Sequence, residues 1–229
     1  MKREFSYLLI GNSRLHWALF KDNKYKFTHT SFNDSIKEDF DNRNLIWASV
    51  GKKPNFELDE NKEVKTTDID LTNLPSHFGV DRALSCFCAW KTTKNQYNKN
   101  LLIADFGTTL SISKINHKGV LIGGELIPGF KTQLDSMVKS TKLLKLPNEI
   151  TIPKNNFLIE TKEAMLKGVH NSLIGVIDLL FNPQEDILIF CGGDSELFGE
   201  SMKKKDRPII IKPNLAIEGL ILFASHLYK

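Results

Sequence analysis

Apolar, β-branched and aromatic residues cluster at about 5–11, 14–20 and 24–30 between short polar turn signals, a pattern that predicts three successive strands. A fourth strand fits Leu45 to Val50, ahead of a stretch rich in Lys, Asn, Glu and Asp that runs to Asp70 and reads as an irregular surface segment. From Val80 to Thr93 the period changes: Val80, Leu84, Phe87 and Lys91 fall on one stripe with Ala83 and Trp90 beside it, which is helical spacing. The polar, aperiodic stretch KTTKNQYNKN from Lys91 to Asn100 marks the boundary between two halves, 1–95 and 96–229.

Strands near 101–106, 109–115 and 118–123 open the second half in the same order as the first. Helices fit 130–144 and 161–181, the second with Ala164, Gly168, Leu173, Val176 and Leu180 at its apolar or small positions. Asp186 to Cys191 reads as a short buried strand running into Gly192-Gly193-Asp194, and a strand near Ile209 to Ile211 precedes a helix from Leu215 to His226. Three strands, a helix, a strand and a helix in each half predict two related α/β lobes with a cleft between them.

The repetition is also chemical. LLIGNSRLHWALF, from Leu8, and LLIADFGTTLSISKI, from Leu101, each run an apolar strand into a Gly-centred turn carrying small hydroxyl or amide side chains. Glycine lets backbone N–H groups approach an anion closely, and the small side chains add donors without bulk. Two such turns suit a phosphate chain gripped from both sides, and so a nucleotide-dependent phosphotransferase.

Composition narrows the class. Apolar residues at 41% and charged residues at 25% are those of an ordinary soluble protein. The net charge of +4 is mild and scattered, which argues against a nucleic-acid partner. The densest basic run, Lys203-Lys204-Lys205, reads as a solvated helix end. Three cysteines, Cys86, Cys88 and Cys191, have neither zinc-knuckle nor redox spacing and read as buried thiols of a reducing compartment. With no apolar run near the ~18 residues of a membrane span, a cytoplasmic protein without a membrane partner is expected. The six histidines show no metal-ligand spacing, and His16 and His170 read as packing residues.

Phosphoryl transfer needs an oriented acceptor hydroxyl, a group to take its proton, and cations or donors for the spread negative charge. Asp81, in Gly79-Val80-Asp81-Arg82, is a natural proton acceptor, and Arg82 can hydrogen-bond the substrate and hold the carboxylate ionised. The competing reading makes Asp81 a helix-start residue at the positive end of the macrodipole. Asp105 closes the apolar strand Leu101 to Ala104, where a carboxylate needs a cation or hydrogen bonds, an Asx-type turn being the alternative. Thr161 fits either a substrate contact or a helix N-cap, with Ala164 where a capping box places Glu.

The order and spacing of IGNS at 10–13, GVDR at 79–82, DFGTT at 105–109, GGELIPG at 123–129, the Thr161 to Gly168 segment and GGD at 192–194 resemble the type III pantothenate kinases. Those enzymes share a superfamily with acetate and sugar kinases, heat-shock ATPases and actin. The resemblance spans nearly the whole chain and implies two related actin-like (ribonuclease H-like) lobes with a nucleotide cleft between them. It implies ATP-dependent phosphorylation of pantothenate, the first committed step towards coenzyme A. By the same resemblance Asp81 is the catalytic base; Gly79, Val80, Asp81, Arg82 and Thr161 bind pantothenate; and Gly11, Asn12, Ser13 and Thr108 contact Mg2+–ATP. Asp105 matches the ligand of a monovalent cation, K+ or NH4+. Gly192-Gly193 would let backbone pass near adenosine, while Gly123-Gly124 and Pro128-Gly129 bracket a stiff loop. A homodimer with the substrate site near the subunit interface is also implied.

Two positions depart from the family pattern. Leu9 stands where the family's Asp-x-Gly-Asn-Thr turn has its aspartate, which helps hold the nucleotide's magnesium; Asn12 and Asp105 remain able to bind magnesium-held water. Thr72 stands where a tyrosine is common, seven residues before Gly79. The expectation is an altered but active kinase. A catalytically silent nucleotide-binding regulator and a kinase for another small alcohol are the alternatives, because pocket shape and not motif fixes the acceptor.

Overall fold

The computed structural model describes residues 5–34, 44–94, 96, 98–203 and 209–227. Residues 204 and 205 of the basic run, and 95 and 97 of the polar boundary, lie outside them. Contacts divide the chain into two units: Met1–Leu101, Lys114–Gly123 and Asn214–Lys229 form one, and Leu102–Ser113 with Gly124–Pro213 the other. This differs from a single cut at 95/96, because the C-terminal helix returns to the first unit.

The first unit holds a four-stranded sheet of β1 (Ser6–Ile10), β2 (Leu15–Lys21), β3 (Lys24–Thr30) and β4 (Leu45–Ser49), in the order β3-β2-β1-β4. β1 runs antiparallel to β2 and parallel to β4, so Leu9 lies opposite both His16 and Ala48. The β2–β3 hairpin turns on Asp22 and Asn23, at φ 52° and 61°, residues whose short polar side chains tolerate the left-handed region. Alternation then sends Leu8, Ile10, Leu15, Trp17, Leu45 and Trp47 into one buried cluster, against which Phe56 and Leu58 pack.

That cluster explains why 51–70 is not the surface segment its composition suggests. The Trp47 indole N–H donates to the Asp59 carbonyl at 2.9 Å, and the Val64 N–H donates to the Trp47 carbonyl at 2.7 Å. Two 3-10 turns, Glu60–Lys62 and Thr66–Asp68, let the stretch bury Val64, Thr66, Ile69 and Leu71 while its charges face water. Helix α1 spans Val80–Thr93 as its periodicity predicts. Helix α5 (Leu215–Leu227) packs on it, with Phe87 edge-on to Phe223 at 5.9 Å and no room for a Cβ on Gly219 against the Leu84 carbonyl.

A five-stranded sheet holds β5 (Asn100–Phe106), β6 (Thr109–Ile115), β7 (Leu121–Pro128), β8 (Asp186–Cys191) and β9 (Ile209–Ile211), ordered β7-β6-β5-β8-β9. Its first four strands repeat the order of the other sheet. β7 starts later than 118–123 because Asn116 builds a turn: its side-chain oxygen accepts the N–H of Lys118 at 2.9 Å and of Val120 at 3.0 Å, and Gly119 takes φ +81°. Helices α2 (Phe130–Ser140), α3 (Thr161–Leu180) and α4 (Ser195–Lys203) complete the second unit. α2 stops short of 144 where Thr141 turns extended at φ −136°, and α2 and α3 both precede β8, as the two helices placed there in the sequence anticipate. α4 had no clear signal in the sequence, and its Gly199 is explained by the side chain of Ile211 lying against it. Phe106, Phe130, Phe190 and Phe198 form the aromatic centre of the second core, Phe106 stacking on Phe198 at 4.5 Å. His170 has the packing role expected of it: it is buried, stacks on Phe198, and its Nε2 pairs with the Ser201 hydroxyl at 3.0 Å.

Candidate active site

In the first unit, Gly11, Asn12, Ser13 and Arg14 form the turn between β1 and β2, closed by the Gly11 N–H donating to the Arg14 carbonyl at 2.9 Å. The backbone after β4 lies directly against this turn. The Val50 N–H donates to the Ile10 carbonyl at 3.0 Å, the Ser49 hydroxyl donates to the Gly51 carbonyl at 3.0 Å, and a Cβ on Gly51 would overlap the Gly11 carbonyl. Val50 is also the apolar neighbour of Gly79, 3.7 Å from where a Cβ on that glycine would sit. One strand end thus joins the Gly turn to the GVDR segment. Sequence reasoning missed Gly51; its place immediately after a predicted parallel strand was the available signal.

Gly79 caps α1, and Val80, Asp81 and Arg82 form its first turn. The Arg82 N–H donates to Asp81 Oδ1 at 2.7 Å. Burial pushes the Asp81 carboxyl above its ordinary range, and that N–H together with the Arg82 charge only partly offsets the rise. Gly79 is required beside it, since a Cβ there would come within 2.7 Å of Asp81 Oδ1. Asp81 thus stands at a helix start, as one reading of it expected, and burial raises its basicity. The Arg82 guanidinium lies over the Phe78 ring, 4.0 Å from its centroid.

His16 and His29 face each other across β2 and β3, with Nδ1 atoms 2.9 Å apart. Burial lowers the His16 pKa to about 4, with His29 and Arg14 adding to the effect. A Cβ on Gly11 would lie 3.2 Å from His16 Nε2, so this imidazole lines the first turn. Leu9, its cross-strand neighbour, is 4% exposed. The row Ala48, Leu9, His16, His29 across β4, β1, β2 and β3 carries no carboxylate.

In the second unit, half-buried Asp105 sits between buried Ala104 and Phe106 near the end of β5. Gly192, at φ +84°, brings backbone against it: a Cβ there would overlap both the Asp105 carboxylate and the Phe106 carbonyl. That carbonyl also accepts the Asp194 N–H at 3.3 Å. Gly192 is therefore fixed as glycine by the close packing of the Asp105 carboxylate and the Phe106 carbonyl against its backbone. Among the described residues no group of three or more His, Cys, Asp or Glu side chains is placed to hold a metal ion.

The Thr108 carbonyl accepts the Gly129 N–H at 2.9 Å and the Thr132 hydroxyl at 2.6 Å. A Cβ on Gly129 would overlap the carbonyls of Gly107 and Thr108, so Gly129 covers the second turn as Gly51 covers the first. Thr161 is exposed and is the first residue of α3, whose cap position is taken by Glu160; it is not the N-cap that the alternative reading required. Gly11 to Ser13 and Gly79 to Arg82 thus belong to the first unit, and Asp105, Thr108 and Thr161 to the second. Thr72 pairs with Val120 through an isolated parallel bridge and projects into solvent.

Comparison with known proteins agrees with the motifs. The chain is 28% identical to the type III pantothenate kinase of Synechococcus elongatus over 93% of both chains. Among solved structures it is similar to a conserved protein of Campylobacter jejuni described as a Baf family transcriptional activator, with TM-score 0.69 and 15% identity over 97% of this chain and 98% of that one. It is also similar to the activator of 2-hydroxyisocaproyl-CoA dehydratase from Clostridium difficile, solved with bound ADPNP, with TM-score 0.53 and 13% identity over 97% and 95% of the two chains. The fold is accordingly the actin-like one that the family resemblance implied. The family model for type III pantothenate kinase matches residues 59–182, over half the chain and including the GVDR, DFGTT and GGELIPG segments, and the chain belongs to that family.

Proposed function

We propose that this kinase transfers the γ-phosphoryl group of ATP to the primary hydroxyl of pantothenate, giving 4′-phosphopantothenate and ADP. The observation that carries the proposal is the half-buried, N-terminally held Asp81 beside Arg82 in a chain of this family. As the hydroxyl oxygen bonds to phosphorus and the bond to the ADP oxygen breaks, Asp81 takes the hydroxyl proton. A base whose pKa is raised towards the working pH suits that role. Arg82 pairs with the pantothenate carboxylate, for which a planar guanidinium is matched. Gly79 and Val80 supply backbone beside the acceptor, and Thr161 a hydroxyl.

Gly11, whose own N–H closes the turn, leaves room for the backbone N–H groups of Asn12 and Ser13 to hold the nucleotide phosphates, with the Thr108 hydroxyl as a further donor. An actin-like neighbour that holds an ATP analogue supports ATP as the donor. Magnesium on the nucleotide phosphates supplies charge neutralisation. Its protein-side contacts fall to Asn12 and Asp105 through water, since Leu9 offers none. Asp105, with the neighbouring carbonyl oxygen, would hold a monovalent cation, K+ or NH4+. Family resemblance supports a homodimer. Three buried cysteines outside any disulfide support a reducing, cytoplasmic setting, and among the described residues no helix is long and apolar enough to cross a membrane.

The test is ADP release by the purified protein with ATP, magnesium and potassium against a panel of small alcohols. The expected result is turnover with pantothenate above every other acceptor. A second reading, a silent nucleotide-binding regulator, is favoured by the buried Leu9 where the family pattern has an aspartate. Tight ATP binding without turnover of any acceptor would establish it in place of the kinase.

A further inference from the structure

The face of Arg82 away from the helix axis is set by a residue that no motif includes. Its guanidinium lies over the ring of Phe78, 4.0 Å from the centroid, at the spacing of a first-turn residue and the position four before it. Phe78 is itself held on both sides. Its carbonyl accepts the hydroxyl of buried Thr66 at 2.7 Å, and its N–H donates to the Pro75 carbonyl at 3.0 Å. The 3-10 turn Thr66–Asp68 therefore anchors the ring, and the ring anchors the guanidinium.

We infer that Phe78 is a positioning residue for acceptor recognition, stacking against Arg82 so that its guanidinium plane is fixed before a carboxylate-bearing acceptor arrives. The inference rests on the reading of this chain as a pantothenate kinase. The physical gain is preorganisation. An arginine side chain carries large rotamer freedom, and fixing it in advance removes that ordering cost from binding. A guanidinium held through its face can still pair with a carboxylate through its edge. Because the contact acts on acceptor binding and not on Asp81, it governs KM for pantothenate and leaves kcat nearly unchanged.

Steady-state kinetics with Phe78→Leu and Phe78→Trp test this, with Phe78→Met as a second ring-free variant should the leucine protein fail to fold and thermal melting confirming that each variant is folded. Loss of the ring is expected to raise KM for pantothenate about threefold to thirtyfold, the range of a cation–π contact between exposed and desolvated sites, while kcat and KM for ATP stay within about twofold. Phe78→Trp should keep KM near the wild-type value. With pantothenol, the same acceptor with an alcohol in place of its carboxylate, the ring-free variants should behave as wild type. Equal KM values for wild type and the ring-free variants, a matching rise with pantothenol, or failure of tryptophan to preserve KM would overturn the inference while leaving the kinase reading intact. A wild-type protein that turns over no pantothenate would instead overturn that reading, and the inference with it.

Discussion

At the scale of single residues, the proposed chemistry rests on Asp81, a carboxylate that burial makes more basic. Asp81→Asn, nearly isosteric but unable to take a proton, is expected to lower kcat about 10²- to 10⁴-fold with little change in KM for ATP, measured by steady-state kinetics. Because the ionised form is the base and burial raises its pKa, kcat/KM should fall as pH drops through that raised value; a flat acidic limb would exclude the role. His16 titrates in the opposite direction, its folded pKa of about 4 lying below the ordinary 6.5. Between those values the unfolded chain binds the extra proton, so the stability contribution is complete above 6.5 and is lost as pH falls towards 4. His16→Gln should flatten the fall of the urea midpoint over that window. Leu9→Asp adds a carboxylate to the row beside His16. It should lower the magnesium concentration needed for half-maximal rate, and a folded variant with unchanged magnesium dependence would show that position 9 does not serve the nucleotide. Asp81, Arg82, Gly11 and Asp105 were legible because each residue type has a chemical reason to stand at a turn or helix start. Gly51, Phe78 and the facing of His16 and His29 were not, because they depend on strand register and on a loop's path, which no single residue type encodes.

Elements were legible where one face repeats. α1 matches its period from Val80 to Thr93, and β8 reads as a continuous apolar run because all six of its residues are buried. β7 was displaced by the Asn116 turn, and α4 was hidden by an interior glycine that propensity penalises and packing against Ile211 requires. The stretch after β4 looked like surface because its charges outnumber its buried apolar residues Val64, Ile69 and Leu71. Close approach of α5 to α1 yields a prediction at this scale. Gly219→Ala places a methyl group on the Leu84 carbonyl and should cost about 1–3 kcal/mol, read from the urea midpoint. Gly168→Ala, at a helical glycine with open space around it, should be neutral or slightly stabilising in the same assay.

Across the whole molecule the duplicated turn announced the fold, since two sheets with the same order of their first four strands follow from two copies of one strand-turn-strand pattern. The assignment of α5 to the first unit did not follow from the sequence, because an amphipathic segment specifies that it must be covered and not by which partner. The monovalent-cation role proposed for Asp105 is tested on the whole enzyme. Replacing potassium by sodium should lower the rate steeply, Asp105→Asn should remove both the dependence and most activity, and equal rates in the two salts would exclude a potassium site. The central claim is that this family member phosphorylates pantothenate through Asp81, and identification of the product tests it most directly. Incubated with ATP, magnesium, potassium and pantothenate, the wild-type protein should yield one equivalent of ADP per equivalent of 4′-phosphopantothenate by mass spectrometry, and Asp81→Asn should yield almost none. ADP release without a phosphorylated pantothenate, or equal product from the Asn variant, would contradict it.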